Sequence, residues 1–368
     1  MRAAVLHGKG DLRVAEVPVP RPGDGEVLLR VRAVGLCGTD AAEYAHGPMM
    51  MPVATRHPVT GHHGPMVIGH EFAGEVVEVG PGVDRAWTGR LLASCGVIFC
   101  GDCGACRAGR TNHCRTYAAV GLHRDGAAAE FVAAPLSSCE PADSRALPPD
   151  AAALGQPMSI AVHATQRARL AGGERVVMFG AGGIGAFLAY VLARRGAQLL
   201  VVDPDESRRH LAAALGAAAL ARPGDDLAPA DLLGGEPEVV FECSGTEAGL
   251  AAALSVLPAG ARLVVVGMQK RPVAIDLRRA TIRENEIIGT NGMARTPDFS
   301  DALDLVAART QGWADVAPLA LPLDEIATGA LAPMAAGAAP AVKVLVDPAA
   351  TRRRPSQTVP ATVATQEG

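Results

Sequence analysis

Val176-Val177-Met178-Phe179-Gly180-Ala181-Gly182-Gly183-Ile184-Gly185 reads as a buried strand running into a Gly-x-Gly-x-x-Gly turn that opens a helix. Gly180 permits the tight bend, Gly182 lets the backbone approach a pyrophosphate, and Gly185 allows close helix–strand packing. The N–H groups at the helix start, around Gly183 and Ile184, offer a partial positive charge to phosphates. Such triplets are common in turns, so context decides. A second apolar run, Leu199-Leu200-Val201-Val202, ends in Asp203, 18 residues past Gly185. A carboxylate there can accept hydrogen bonds from ribose hydroxyls and repels a 2′-phosphate. The pattern predicts a nicotinamide dinucleotide, with NAD favoured over NADP. Arg208 and Arg209 are the reservation, because they could serve a 2′-phosphate. Arg208 joins the candidate cofactor contacts.

Around this turn, Arg175–Phe179, Gln198–Val202, Val239–Glu242 and Arg262–Val266 are short strand candidates. Phe187–Arg195, Glu206–Leu215 and Ala248–Leu257 are the helices between them. Strand, helix, strand in series predicts a parallel, doubly wound Rossmann sheet. Residues 1–150 have a different texture, with short β-like runs such as Val27–Val34, Gly74–Val79 and Leu91–Ala93 between Gly/Pro turns. They predict a β-rich domain. After Pro348 the composition turns to Arg, Pro, Thr, Gln and Gly, which predicts a disordered tail over 349–368.

The length of 368 residues accommodates two domains. Apolar residues at 49% and charged residues at 20% fit a soluble globular chain. A net charge of -4, with one short basic run at Arg352–Arg354, argues against nucleic acid as a partner. No apolar run reaches the ~18 residues that span a bilayer, and Met1–Leu12 reads as a strand and not as a signal peptide. The expected location is the cytoplasm, where clustered cysteines bind metal more often than they form disulfides.

Cys100-x-x-Cys103-x-x-Cys106-x7-Cys114 places four thiols within 15 residues. The two-residue gaps let side chains converge tetrahedrally while backbone N–H groups point at sulfur. An iron–sulfur run usually has its fourth cysteine three residues on and before proline. Here the fourth is eight residues on and precedes Arg115. The reading is a closed, structural zinc site.

Cys37 in Gly35-Leu36-Cys37-Gly38-Thr39-Asp40 and His70 in Gly69-His70-Glu71 are each unremarkable alone, since a lone Cys is usually a small core hydrophobe. Cys95, Cys139, Cys243, His7 and His210 stay in that category, and His57, His62 and His63 read as solvated loop residues. In order, however, Cys37-Gly-Thr-Asp, Gly69-His70-Glu71-Phe72-Ala-Gly, the cysteine lobe and the dinucleotide turn resemble the zinc-containing medium-chain alcohol dehydrogenases. The similarity runs from Met1 to about Val346. His57-Pro58-Val59-Thr60-Gly61 and Gln156-Pro157-Met158-Ser159-Ile160-Ala161-Val162-His163-Ala164 look most like the butanediol and polyol (sorbitol-type) enzymes.

The resemblance implies a GroES-like catalytic domain, residues 1–153 plus 293–348, around a nucleotide domain, 154–292. It also implies two zinc ions per chain and a homodimer or homotetramer. Cys37 and His70 would bind the catalytic zinc, with Glu71 as ligand or close partner and Gln156 as the remaining ligand, directly or through water. Thr39 would accept the alcohol proton.

Two positions depart from the pattern. Gln156 stands where polyol enzymes commonly carry Glu, which leaves the site one unit more positive unless Glu71 coordinates instead. Ala42 stands where a relay His is frequent, with His46 or water as the substitute. The expected reaction is interconversion of a secondary alcohol (vicinal diol, polyol or cyclitol) and a ketone. The competing reading is a lyase or epimerase using tightly bound NAD transiently, or a dinucleotide binder without activity.

Overall fold

The structure, a computed structural model, describes residues 1–225 and 227–360. Two compact units emerge, one formed by 1–159 together with the chain from 294 onward, the other by 160–293. The first division falls inside the helix Gly155–Arg167.

The second unit carries six parallel strands, in the order 219–221, 198–202, 175–179, 239–242, 262–265, 286–289. Its core is aliphatic: Val177, Phe179, Leu200, Val202, Val240 and Leu263 are all nearly inaccessible. Strands buried on both faces read as unbroken apolar runs, which is why the inner four were legible. The outer two were not. Ala219–Ala221 has three residues, and Glu286–Gly289 is largely exposed. The first helix starts at Gly183, four residues before the predicted Phe187, because the glycine turn itself forms its first turn.

The first unit is β-rich. Glu26–Leu36 lies at the centre of an eight-stranded sheet, flanked by Glu71–Val79 and by Val344–Val346 from the far end of the chain. The last pairing sets Leu345 opposite Gly35. Phe72, Leu29, Leu36 and Leu92 fill the core beneath.

The predicted disorder after Pro348 is overturned for residues 349–360. Arg354–Pro355 pairs with Leu319–Leu321. Arg354 grips both carboxylate oxygens of buried Asp150 at 2.6 and 2.9 Å, and Asp347 at 2.7 Å. Thr358, 1% exposed, accepts the Trp313 N–H at 2.7 Å. Polar bonds, to which composition is blind, hold this segment. The remainder of the expected tail, 361–368, lies outside the described residues.

Candidate metal and dinucleotide sites

Cys37 ends the central strand and sits at the N-cap of the helix Gly38–His46. Its backbone N–H donates to Asp40 Oδ2 at 2.8 Å, which folds the Asp40 carboxylate back under the strand end. Its thiol lies 3.7 Å from Thr39 Oγ1. His70 follows Gly69, whose φ of 97° only glycine adopts easily, and opens the neighbouring strand. Strand pairing therefore brings Cys37 and His70 together across 33 residues of chain. The ligand atoms of Cys37, His70 and Glu71 all lie within 4.8 Å of one another.

Two buried residues behind this trio set its electrostatics. Asp40 Oδ1 stands 3.6 Å from His70 Nδ1, and neither atom has another hydrogen-bond partner among the described residues. An Nδ1–H aimed at Asp40 leaves Nε2 as the lone pair offered to a cation. Burial lowers the His70 pKa, but attraction to Asp40, aided by Cys37, outweighs it and leaves the pKa well above the ordinary value. Lys343 donates to both oxygens of Glu71, at 2.8 and 2.7 Å, and to Leu36 O at 3.1 Å. A Cβ on Gly35 would overlap Glu71 Oε2, so glycine there makes room for the carboxylate.

Asp40 and Lys343 were absent from the sequence candidates. The Cys-x-x-Asp spacing at a helix start could have flagged Asp40. Nothing local flags Lys343, 272 residues from Glu71.

Gln156 is the second residue of its helix and half-buried. His46 is exposed at the far end of the helix that Cys37 caps, about 13 Å along the axis at 1.5 Å per residue. That is too far for a direct proton relay beside Cys37. His57 corrects another expectation. It is not simply solvated: its ring stacks on His123 with centroids 4.6 Å apart, and its Nδ1 accepts the Thr60 N–H at 3.1 Å.

In the cysteine lobe, Sγ of Cys114 is 3.6 Å from that of Cys100, which is 4.0 Å from that of Cys106. Four sulfurs bound tetrahedrally at ~2.3 Å stand about 3.8 Å apart, so the cluster fits zinc. Backbone N–H groups of Cys100, Cys103 and Thr116 point at sulfur from 3.3 to 3.4 Å, as thiolates require.

In the second unit, Gly185 packs where any side chain would strike Gly180 O. Asp203, at the end of Gln198–Val202, accepts N–H bonds from Ala181 at 2.7 Å and Asp205 at 2.8 Å. Arg208 Nη1 lies 3.6 Å from where a Cβ on Gly182 would stand. The switch in strand order falls beside this turn, where open parallel sheets take their ligands.

Comparison with known proteins adds the family. The Alcohol dehydrogenase GroES-like domain matches residues 23–144, and the Zinc-binding dehydrogenase family matches 183–308. L-galactonate-5-dehydrogenase of Escherichia coli (strain K12) is 31% identical over 293 residues, 78% of this chain and 82% of that protein. The chain belongs to the zinc-type alcohol dehydrogenases. Its architecture follows the family: the crystal structure of 2R,3R-butanediol dehydrogenase from Bacillus subtilis superposes with a TM-score of 0.83 at 27% identity, covering 94% of this chain and 99% of that one. A zinc-binding dehydrogenase from Sinorhizobium meliloti 1021, solved bound to NADP, gives 0.81 at 30% identity, with 94% and 99% covered. As a member of this family the chain is an enzyme of the alcohol dehydrogenase class. No helix among the described residues is long and apolar enough to cross a membrane.

Proposed function

We propose that this enzyme interconverts a secondary alcohol and a ketone, with a vicinal diol, polyol, cyclitol or sugar acid as substrate and NAD as principal cofactor. The observation that carries the reading is the buried convergence of Cys37, His70 and Glu71, with Asp40 behind the histidine. A relative that acts on a galactonate and a structural neighbour that acts on butanediol support the substrate class. Asp203 supports NAD, whereas NADP in a solved relative keeps the second cofactor in play.

A zinc ion in this site would supply a Lewis acid that makes the substrate hydroxyl more acidic, while the nicotinamide takes the hydride. Cys37 and His70 would hold the ion, and Asp40 keeps the imidazole in the ligating tautomer. Glu71 is a partner held by Lys343 and not a free ligand. Gln156 supplies a neutral oxygen. Because Glu71 and Lys343 cancel, Cys37 and the Asp40 carboxylate behind His70 contribute the negative charge, and the site stays more positive than one with Glu at 156. Thr39, beside Cys37, would accept a hydrogen bond from the substrate hydroxyl and relay its own proton to water as it takes up the substrate's, since neither Ala42 nor His46 can serve. Cys100, Cys103, Cys106 and Cys114 would hold a second, structural zinc.

Exposed Leu277, Ile282 and Ile287 on and beside the edge strand of the parallel sheet support a homodimer or homotetramer. A cysteine cluster that fits a metal supports a cytoplasmic location.

The experiment is Cys37→Ala assayed against a panel of diols, polyols, cyclitols and sugar acids, with NAD binding measured in parallel. Loss of turnover with NAD binding retained is the expected result. Undiminished turnover would end the assignment.

A further inference from the structure

Among the residues placed around the ion, His70 is backed by Asp40 and Glu71 by Lys343. Gln156 has no such partner. Its side-chain amide makes no hydrogen bond among the described residues, while its backbone oxygen accepts the Ser159 hydroxyl at 2.6 Å. An untethered amide reaches only where its backbone carries it, so the seating of Gly155–Gln156 decides what it touches.

Two helices set that seating. Pro149–Ala153 runs into Gly155 with Leu154 alone between them. It packs on Glu26–Leu36 and Glu71–Val79, the strands whose ends carry Cys37 and His70. Asp298–Ala308 is the second: a Cβ on Gly155 would strike its Leu303 and Phe299 side chains, so glycine lets the chain close onto that helix.

The stretch from Arg354 to Thr358, past Val346 where the similarity to the family ends, grips both helices. Arg354 forks onto the two oxygens of Asp150 in the first, at 2.6 and 2.9 Å, and the Gln357 N–H adds a third bond at 2.7 Å. Such bidentate, charge-assisted pairing is both strong and directional. Thr358 accepts the Trp313 N–H at 2.7 Å, and Trp313 Nε1–H donates to Val306 O of the second helix at 3.0 Å. Five consecutive residues thus tie together the two supports of Gln156.

We infer that Arg354, acting through Asp150, positions Gln156 for the metal. It is a positioning residue, since it touches neither ion nor substrate. Without its grip the helix start drifts and the ion beside Cys37 is held less firmly. The cysteine lobe, whose four thiols lie within residues 100–114, is unaffected. The inference rests on the proposed ligand set and deepens it.

The test is a double-mutant cycle on the zinc-loaded enzyme: wild type, Arg354→Ala, Gln156→Ala and the double variant. Each is dialysed against a chelator, and zinc per chain is followed in time by elemental analysis. Cys37→Ala, which should keep the lobe zinc alone, supplies the reference rate for that ion. Arg354→Ala and Gln156→Ala should each hasten loss of the other zinc by about 10-fold, with the lobe zinc leaving at its reference rate. The double variant should lose zinc within about threefold of Gln156→Ala, because no amide is left to position. The fall in Tm caused by Arg354→Ala should nonetheless be the same in both backgrounds. Three results would overturn the inference: wild-type zinc retention in Arg354→Ala, equal acceleration by Arg354→Ala with and without Gln156, or loss of both zinc ions together. Should Arg354→Ala not fold, Arg354→Lys, which keeps the charge and loses the fork, runs the same cycle with a smaller acceleration. Wild-type retention in Gln156→Ala would instead defeat the ligand reading of Gln156, and the inference with it.

Discussion

Lys343 Nζ stands 2.8 and 2.7 Å from the two carboxylate oxygens of Glu71, and both side chains are buried. Burial pushes the Lys343 ammonium down, but the pull of Glu71, with Cys37 and Asp40 adding to it, leaves its pKa above the ordinary lysine value. A group whose pKa rises on folding stabilises fully below its unfolded pKa and loses that effect above it. The pair is therefore intact at neutral pH. Removing the cation alone strands a buried carboxylate, at a cost of about 3–5 kcal/mol. Lys343→Met should accordingly lower Tm by several degrees, and the double variant Lys343→Met/Glu71→Gln should recover part of the loss. Melts showing the two changes to be additive would refute the coupling.

Asp40 acts through His70. Asp40→Asn keeps the helix-start geometry but removes the charge that favours the imidazole Nδ1–H. A carboxylate that orients a ligating imidazole from behind is worth about 10- to 100-fold in metal affinity or activity. We expect zinc retention during dialysis against a chelator to fall on that scale, read by elemental analysis. Retention equal to wild type would remove Asp40 from the account.

Under the proposed ligand set, replacing the neutral amide Gln156 with Glu adds a negative charge to the metal's surroundings. Metal should be held more tightly. The pH at which alcohol oxidation sets in should move upward, because a less positive site acidifies the hydroxyl less. An unchanged pH–rate profile together with unchanged metal retention would mean that Gln156 does not reach the ion.

His123 offers a stability test. Burial, with the nearby charge of His57, holds its pKa down at about 4. A histidine depressed on folding destabilises as pH drops, because the unfolded chain takes up the proton first, near ~6.5. Tm should thus fall between pH 6.5 and 4 more steeply for the wild type than for His123→Asn, whose amide oxygen can still accept the Ala119 N–H. Parallel Tm profiles would exclude this contribution. The effect should be modest, since His123 is only partly buried.

Arg354 anchors the segment composition left unstructured. Arg354→Ala removes the cation from Asp150, which is 1% exposed, and leaves a buried charge paired only with the Gln357 N–H. A chain ending at Pro348 should melt several degrees lower, as should Arg354→Ala. Equal Tm values would show that residues 349–360 add nothing to stability.

The parallel sheet and the cysteine lobe were legible because their signals are local. Four apolar runs at βα spacing specify a buried strand series, and two x-x gaps bring thiols together through turn geometry that neighbouring residues set by themselves. Asp40, three residues from Cys37 on one helical turn, carried an equally local signal, although the sequence reading did not single it out. Elsewhere the deciding contacts are between residues far apart in the chain, and no window of sequence contains them. Pairing of Val344–Val346 with Glu26–Leu36 delivers Lys343 to Glu71. That contact turns a candidate ligand into half of an ion pair. Strand pairing likewise seats Arg354 on Asp150, in a stretch whose polar composition predicts disorder. At Asp203 the sequence shows a carboxylate at a strand end, and only the folded glycine turn brings the Ala181 N–H onto it. Residue types and short spacings thus settle which chemistry the chain carries. Long-range pairing and burial settle which of those groups remain free to perform it, because a buried carboxylate already paired with an ammonium, as Glu71 is with Lys343, has less charge to offer a ligand.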